Sequence, residues 1–170
     1  MSDSARPTAL AQDVVAALKD RGLTIAIAES LTGGLVVASL VAVPGASAVV
    51  AGGVVAYQTE LKHSLLGVSA DLLAAHGAVY PDVAVEMALG VRERLTLDGA
   101  PADIGLATTG VAGPDPQDGQ PVGTVYVGIT WGEDVEVLPL LLEGDRAAIR
   151  SATVVESLSA VQRMLSSPRE

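Results

Sequence analysis

The sequence predicts an α/β fold: a single three-layer domain with a mixed, partly antiparallel sheet flanked by helices. Three observations lead there. Helical and strand patterns alternate along most of the chain, which favours a sheet covered by helices. Two β-rich runs at 124–131 and 135–142 are separated only by a turn at Gly132-Glu133, so they form an antiparallel hairpin at the end of that alternation. Third, no charge occurs between Ser30 and Thr59, a run of thirty residues that Pro44-Gly45 and Gly52-Gly53 cut into short pieces. Such pieces suit buried elements, because a membrane span needs about 20 continuous apolar residues. The 170 residues suit one domain. Residues 1–7 read as a loose tail and 8–166 as the domain.

Each element has a local cause. Thr8 is placed to cap a helix through about Arg21, with Leu10, Val14, Val15 and Leu18 on one face and Gly22 as the stop. Leu23 to Ala28 is a short apolar strand. Thr32 to Val41 reads as a helix that ends before Pro44. The run 47–57, "SAVVAGGVVAY", reads as a second strand bent at Gly52-Gly53. Thr59 is placed to cap a short helix carrying Lys62, and Ser69 to cap another. Asp82 to Leu95 is amphipathic at helical period. Asp103 to Thr109 is a strand, 110–123 a Gly/Pro loop, and Asp145 opens a last helix to about Leu165.

Composition narrows the partners. Net charge is −10, with ten Lys and Arg and no cluster of them, so no basic face exists for a nucleic acid. No Cys is present, and His63 and His76 have no metal-ligand spacing, so neither a thiolate nor a metal site is expected. The N-terminus shows no basic-then-apolar leader, which sets the expectation of a cytoplasmic protein without membrane attachment. The high apolar content, 49%, sets the expectation of a homo-oligomer, a dimer or a trimer.

Three segments could carry chemistry. In "TIAIAESLTGG" an apolar strand ends in Glu29 and Ser30, and Gly33-Gly34 open the following helix. A helix N-terminus offers free N–H groups and a positive dipole end, and glycines allow a ligand close to them. The plainer reading makes Ser30 or Thr32 an N-cap. Lys62 follows Tyr57 at the exit of an apolar strand, where burial lowers a Lys pKa and makes it a base. Its alternative is a solvated helix lysine, as Lys19 reads. The strand ending in Thr109-Gly110 and the loop after it suit a binding loop at a sheet edge or a plain surface loop.

The stretches "AESLTGG", "VPGASAVVAGGVVAYQTELKHSLLGV", "HGAV", "ADIGLATTGVAGPDPQDGQPVGTVYVGI" and "GDRAAIR" together resemble the CinA C-terminal domain family over about residues 10–165. Stand-alone members of that family are nicotinamide-nucleotide amidohydrolases. The resemblance implies a reaction, nicotinamide mononucleotide and water to nicotinate mononucleotide and ammonia, within pyridine nucleotide recycling. It implies a Ser/Lys mechanism without metal or cofactor, on a small nucleotide substrate. By position it makes Ser30, Lys62, Tyr57 and Ser47 the catalytic candidates. Ser30 is favoured as nucleophile and Lys62 as base, with Tyr57 holding Lys62 or relaying its proton. Ser47, after Pro44-Gly45, is the rival nucleophile or a proton guide. Oxyanion donors are expected near Gly33-Gly34 or Thr109-Gly110, and Arg146 is expected on the 5′-phosphate, with Arg150 next in line. Leu31 stands where the family usually has Cys, a change the Ser/Lys chemistry tolerates. Two alternatives stay open: a binding domain without turnover, and an amidase for another nucleotide-like substrate.

Overall fold

The computed structural model describes residues 5–167, with side chains from residue 8. In chain order the elements are α1 (Ala5–Arg21), β1 (Ile25–Glu29), α2 (Leu35–Val41), β2 (Val50–Val55), α3 (Thr59–Leu66), α4 (Ala70–His76) and α5 (Pro81–Arg94). Then come β3 (Thr96–Leu97), β4 (Ala100–Pro101), β5 (Ile104–Gly110), β6 (Thr124–Trp131), β7 (Asp134–Leu141) and α6 (Arg146–Ser166). The main sheet has the order β2-β1-β5-β6-β7. β1 is parallel to both β2 and β5, whereas β6 is antiparallel to its two neighbours, β5 and β7. The predicted mixed sheet is therefore present, with the terminal hairpin on one edge.

Helices cover both faces. On one, Val14 and Leu18 of α1, Val36 and Leu40 of α2, and Leu158 and Val161 of α6 pack on Ile25, Ile27, Leu106 and Val127. On the other, Leu66 of α3 and Val83, Met87 and Val91 of α5 pack on Ala26, Ala28 and Ala107. The alternation of large and small residues along β1 thus sorts them by face. The small-residue face lets α5 lie unusually low. A Cβ on Gly105 would meet the Ala88 carbonyl, and one on Gly128 the Ala84 carbonyl. This close approach fits a chain without Phe, in which Ala and Gly provide tight packing in place of bulk.

Several boundaries differ from the sequence reading. α1 starts at Ala5, before the Thr8 expected to cap it, so part of the stretch expected to be loose is helical. α2 starts at Leu35 and not Thr32, because residues 31–34 form a turn whose last residue, Gly34, holds a left-handed φ of +97°. β2 starts at Val50, because Ala46–Ala48 is a 3-10 turn opened by Gly45. Asp98 and Gly99, both at positive φ, close the small β3–β4 hairpin, a two-residue Asp-Gly turn that the sequence reading passed over.

Candidate active site

Three strand ends meet at one edge of the sheet. Register places Glu29 of β1 beside Val55 of β2 and Thr108 of β5. The chain leaving β1 delivers Ser30, whose N–H donates to Thr108 O at 3.0 Å and so extends the ladder by one residue. The chain leaving β2 delivers Ala56 and Tyr57, and α3 turns back to carry Lys62. A single pocket at this edge is lined by Ser30, Tyr57, Lys62, Thr109, Gly110 and Arg146, among others.

The turn after Ser30 is fixed from every side. The Thr32 hydroxyl bonds the Thr108 hydroxyl at 2.7 Å, and Arg150 of α6 donates to Leu31 O at 2.9 Å and to Thr32 O at 3.0 Å. The Glu29 carboxylate, fully buried, folds back under the turn. It accepts from Gly34 N at 2.9 Å, Val36 N at 3.1 Å and Val37 N at 2.8 Å. It thus takes up the free N–H groups and the positive end of the α2 dipole.

This arrangement corrects one expectation. The Gly33-Gly34 amides are spent internally, Gly33 N on Ser30 O at 3.1 Å and Gly34 N on Glu29. Neither glycine lines the pocket. Among the described residues, no acceptor is found for the backbone N–H of Leu31, the residue after Ser30, or of Ala112 in the loop after β5. Both residues line the pocket, as do Tyr57, Gln58, Val79 and Gly113, whose backbone N–H groups likewise find no acceptor among the described residues. Ala112 lies two residues past Gly110, beside the other expected location, Thr109-Gly110.

At the centre, Lys62 is 1% exposed and Ser30 is 7% exposed. Lys62 Nζ donates to Ser30 Oγ at 2.9 Å and to Ala56 O at 2.8 Å. Burial pulls the Lys62 pKa from 10.5 down to about 8, and the carboxylate of Asp118 pulls the other way. Tyr57 takes a different role from the expected one. It is half exposed, and its hydroxyl accepts from Arg146 Nη2 at 2.9 Å, while Lys62 is held by the Ala56 carbonyl. Arg146, the first residue of α6, also donates through Nη1 to Gly113 O at 2.7 Å, so its guanidinium spans the pocket mouth. Thr109 donates its hydroxyl to Ala78 O at 2.6 Å, which draws the segment between α4 and α5 into the wall.

Ser47 is not brought to this site. It is exposed in the 3-10 turn before β2 and lines a separate shallow hollow formed by residues 41–47 and Val50. Because β1 and β2 are parallel, the entrance of β2 lies beside Ile25, at the edge opposite Ser30. The two serines are separated by the length of β1, about 16 Å at 3.3 Å per residue. Arg150, the second phosphate candidate, has its guanidinium on the carbonyls of Leu31 and Thr32 and serves as a brace. No group of three or more His, Asp and Glu among the described residues could hold a metal ion, and no helix among them is long and apolar enough to cross a membrane.

The CinA C-terminal domain family model matches residues 7–165. A CinA-like protein of Frankia casuarinae is 50% identical over 152 residues, which are 89% of this chain and 34% of that protein. The chain spans about a third of the length of the curated relatives it matches. The crystal structure of the competence damage-inducible protein A of Klebsiella pneumoniae superposes with a TM-score of 0.88 at 34% identity, covering 96% of this chain and 99% of that one. A competence/damage inducible protein of Agrobacterium tumefaciens gives 0.87 at 32% identity, covering 98% of each chain.

Proposed function

The chain belongs to the CinA C-terminal domain family, and on that premise we infer that it is an amidohydrolase converting nicotinamide mononucleotide and water to nicotinate mononucleotide and ammonia. The observation that carries the reading is the buried Lys62 Nζ at 2.9 Å from Ser30 Oγ. A nucleophile in hydrogen-bond contact with a base of lowered pKa is the arrangement that acyl transfer needs.

The steps follow from the contacts. Neutral Lys62 takes the Ser30 proton as Oγ attacks the carboxamide carbon. The carbonyl oxygen becomes an oxyanion that takes a free backbone amide of the pocket wall, with Leu31 the one next to Ser30, a kind of contact worth roughly 3–4 kcal/mol per donor. The Lys62 ammonium then gives its proton to the departing nitrogen, and ammonia leaves an ester on Ser30. Water, deprotonated by Lys62, hydrolyses that ester to the carboxylate and restores Ser30. The Ala56 carbonyl keeps Nζ in place through both half-reactions. Arg146 at the mouth meets the 5′-phosphate.

The direct test is ammonia release from a panel of nicotinamide compounds. Release from the mononucleotide at a kcat/KM well above that for the riboside, the free amide and the dinucleotide is expected. Release from none of them would sink the reading.

The pH dependence has a definite sign. Below about 8 Lys62 is an ammonium without a lone pair, so turnover is expected to rise with pH through about 8 and then level. The same lowering makes the charged form costly to fold. That cost is fully present below about 8 and is relieved as pH climbs toward 10.5. A pH–kcat profile flat from 6 to 10 would speak against Lys62 as base.

Arg146→Ala is expected to weaken the mononucleotide by roughly ten- to a hundredfold in kcat/KM, the scale of a lost charge-assisted contact. The riboside, which has no phosphate, should lose much less. Equal losses for both would place the phosphate elsewhere.

A further inference from the structure

We propose that Asp118 is a positioning residue of the Ser30–Lys62 site: from a neighbouring hollow, its carboxylate ties the tip of the β5–β6 loop to Ala78, which lines the pocket. This rests on the Ser/Lys reading above.

The geometry begins with a tight turn inside the loop. Gln117 and Gln120 exchange backbone hydrogen bonds at 3.2 and 2.8 Å, and Asp118 and Gly119 between them sit at φ +51° and +75°. That is the signature of a two-residue Asp-Gly turn, with Asp118 at its tip. The tip docks on the segment between α4 and α5. Asp118 Oδ2 accepts from Ala78 N at 2.9 Å, and the side chain lies so close to Gly77 that a Cβ there would meet it at 2.6 Å. Ala78 O is already held by Thr109. Both polar backbone groups of Ala78 are therefore engaged, one by β5 and the other by the loop that leaves β5. Ala78 and Val79 line the same pocket as Ser30 and Lys62.

The charge matters because the surroundings of Lys62 hold few others. Arg146, Tyr57 and Asp115 line the pocket. Glu29 is turned into the α2 N-terminus, and Glu86 of α5 accepts from Ser69 N. On α3 itself, His63 Nδ1 bonds Val68 O, and Glu60 sits exposed in the first turn. His76 and Tyr80, flanking Gly77–Val79, stack on each other. Asp118 favours the charged form of Lys62 against the burial that disfavours it. It works in the direction that keeps the protonated state accessible, which a group that must accept and return a proton requires.

The test separates charge from tie. Asp118→Asn keeps an oxygen for Ala78 N and keeps a residue type at home at positive φ, while removing the charge. The chain has only two lysines, Lys19 and Lys62, so ¹³C-lysine labelling gives two titrating signals, assigned by Lys62→Arg. The Lys62 midpoint in Asp118→Asn is expected to fall by roughly half a pH unit, the scale of one partly screened charge, and the acid limb of kcat to fall with it. Asp118→Gly, which also suits the backbone, removes tie and charge together. It is expected to give the same shift plus faster amide exchange at Ala78. A Lys62 midpoint unchanged in both variants overturns the proposal, whatever the substrate. A shifted midpoint in a protein that releases no ammonia from nicotinamide mononucleotide supports the role of Asp118 and overturns the amidohydrolase reading instead.

Discussion

Lys62→Ala is expected to lower ammonia release at least about a thousandfold, and Lys62→Arg is expected not to restore it. The lysine makes two contacts, to Ser30 Oγ and to Ala56 O, from a fully buried position. A side chain needed only for its charge would be replaceable by Arg. A base must spend part of its time unprotonated, and guanidinium does not do so in this pH range. Lys62→Met separates chemistry from packing, since it keeps most of the buried length without the amine. It should be inactive yet unfold near the wild-type temperature, because the cost of burying an ammonium is gone. Turnover in the Arg variant within tenfold of wild type would reduce Lys62 to a fixed charge.

Ser30→Ala is expected to lose at least about a thousandfold in kcat, whereas Ser47→Ala should stay within about twofold of wild type. The difference follows from strand direction. Ser30 leaves β1 at the edge where Lys62, Thr109 and Arg146 converge, and Ser47 enters β2 at the opposite edge. Rapid acid quenching during turnover, followed by peptide mass spectrometry, should find an acyl adduct on the peptide carrying Ser30. An adduct on a peptide carrying Ser47 would overturn the assignment and require a large rearrangement of the β2 entrance.

The history of these two serines shows what a sequence holds and what it withholds. Ser30 was legible because its signal is local: an apolar strand, then a hydroxyl, then two glycines. Lys62 was legible because a lysine at the exit of an apolar strand stands out in a chain with only two. Ser47 stayed a rival in one dimension. Its exclusion depends on β2 running parallel to β1, a long-range pairing that no local pattern encodes. The same is true of Tyr57, whose hydroxyl meets Arg146 across 89 positions of chain. Glu29, which the sequence shows only as the end of an apolar strand, caps α2 with three backbone bonds. The number of those bonds was beyond a sequence reading, because the carboxylate must fold back past a turn whose shape was unknown. The β3–β4 hairpin left one usable signal, the Asp98-Gly99 pair, but its flanks are only Thr96-Leu97 and Ala100-Pro101, and Ala and Pro are poor strand formers.

The internal cap on α2 has a bearing on inhibitor chemistry. Strand-to-glycine-to-helix crevices commonly invite an anionic group from the ligand, and a chemist would start there with a phosphate or a carboxylate. Here the protein carries its own anion, Glu29, so an acidic warhead would meet a filled position and a like charge. A neutral electrophile suits the Ser30 end, with any negative charge placed at the Arg146 end of the scaffold. Compounds built with the opposite polarity should lose affinity as they gain charge, and that ranking could be read from a small matched series before any complex is crystallised.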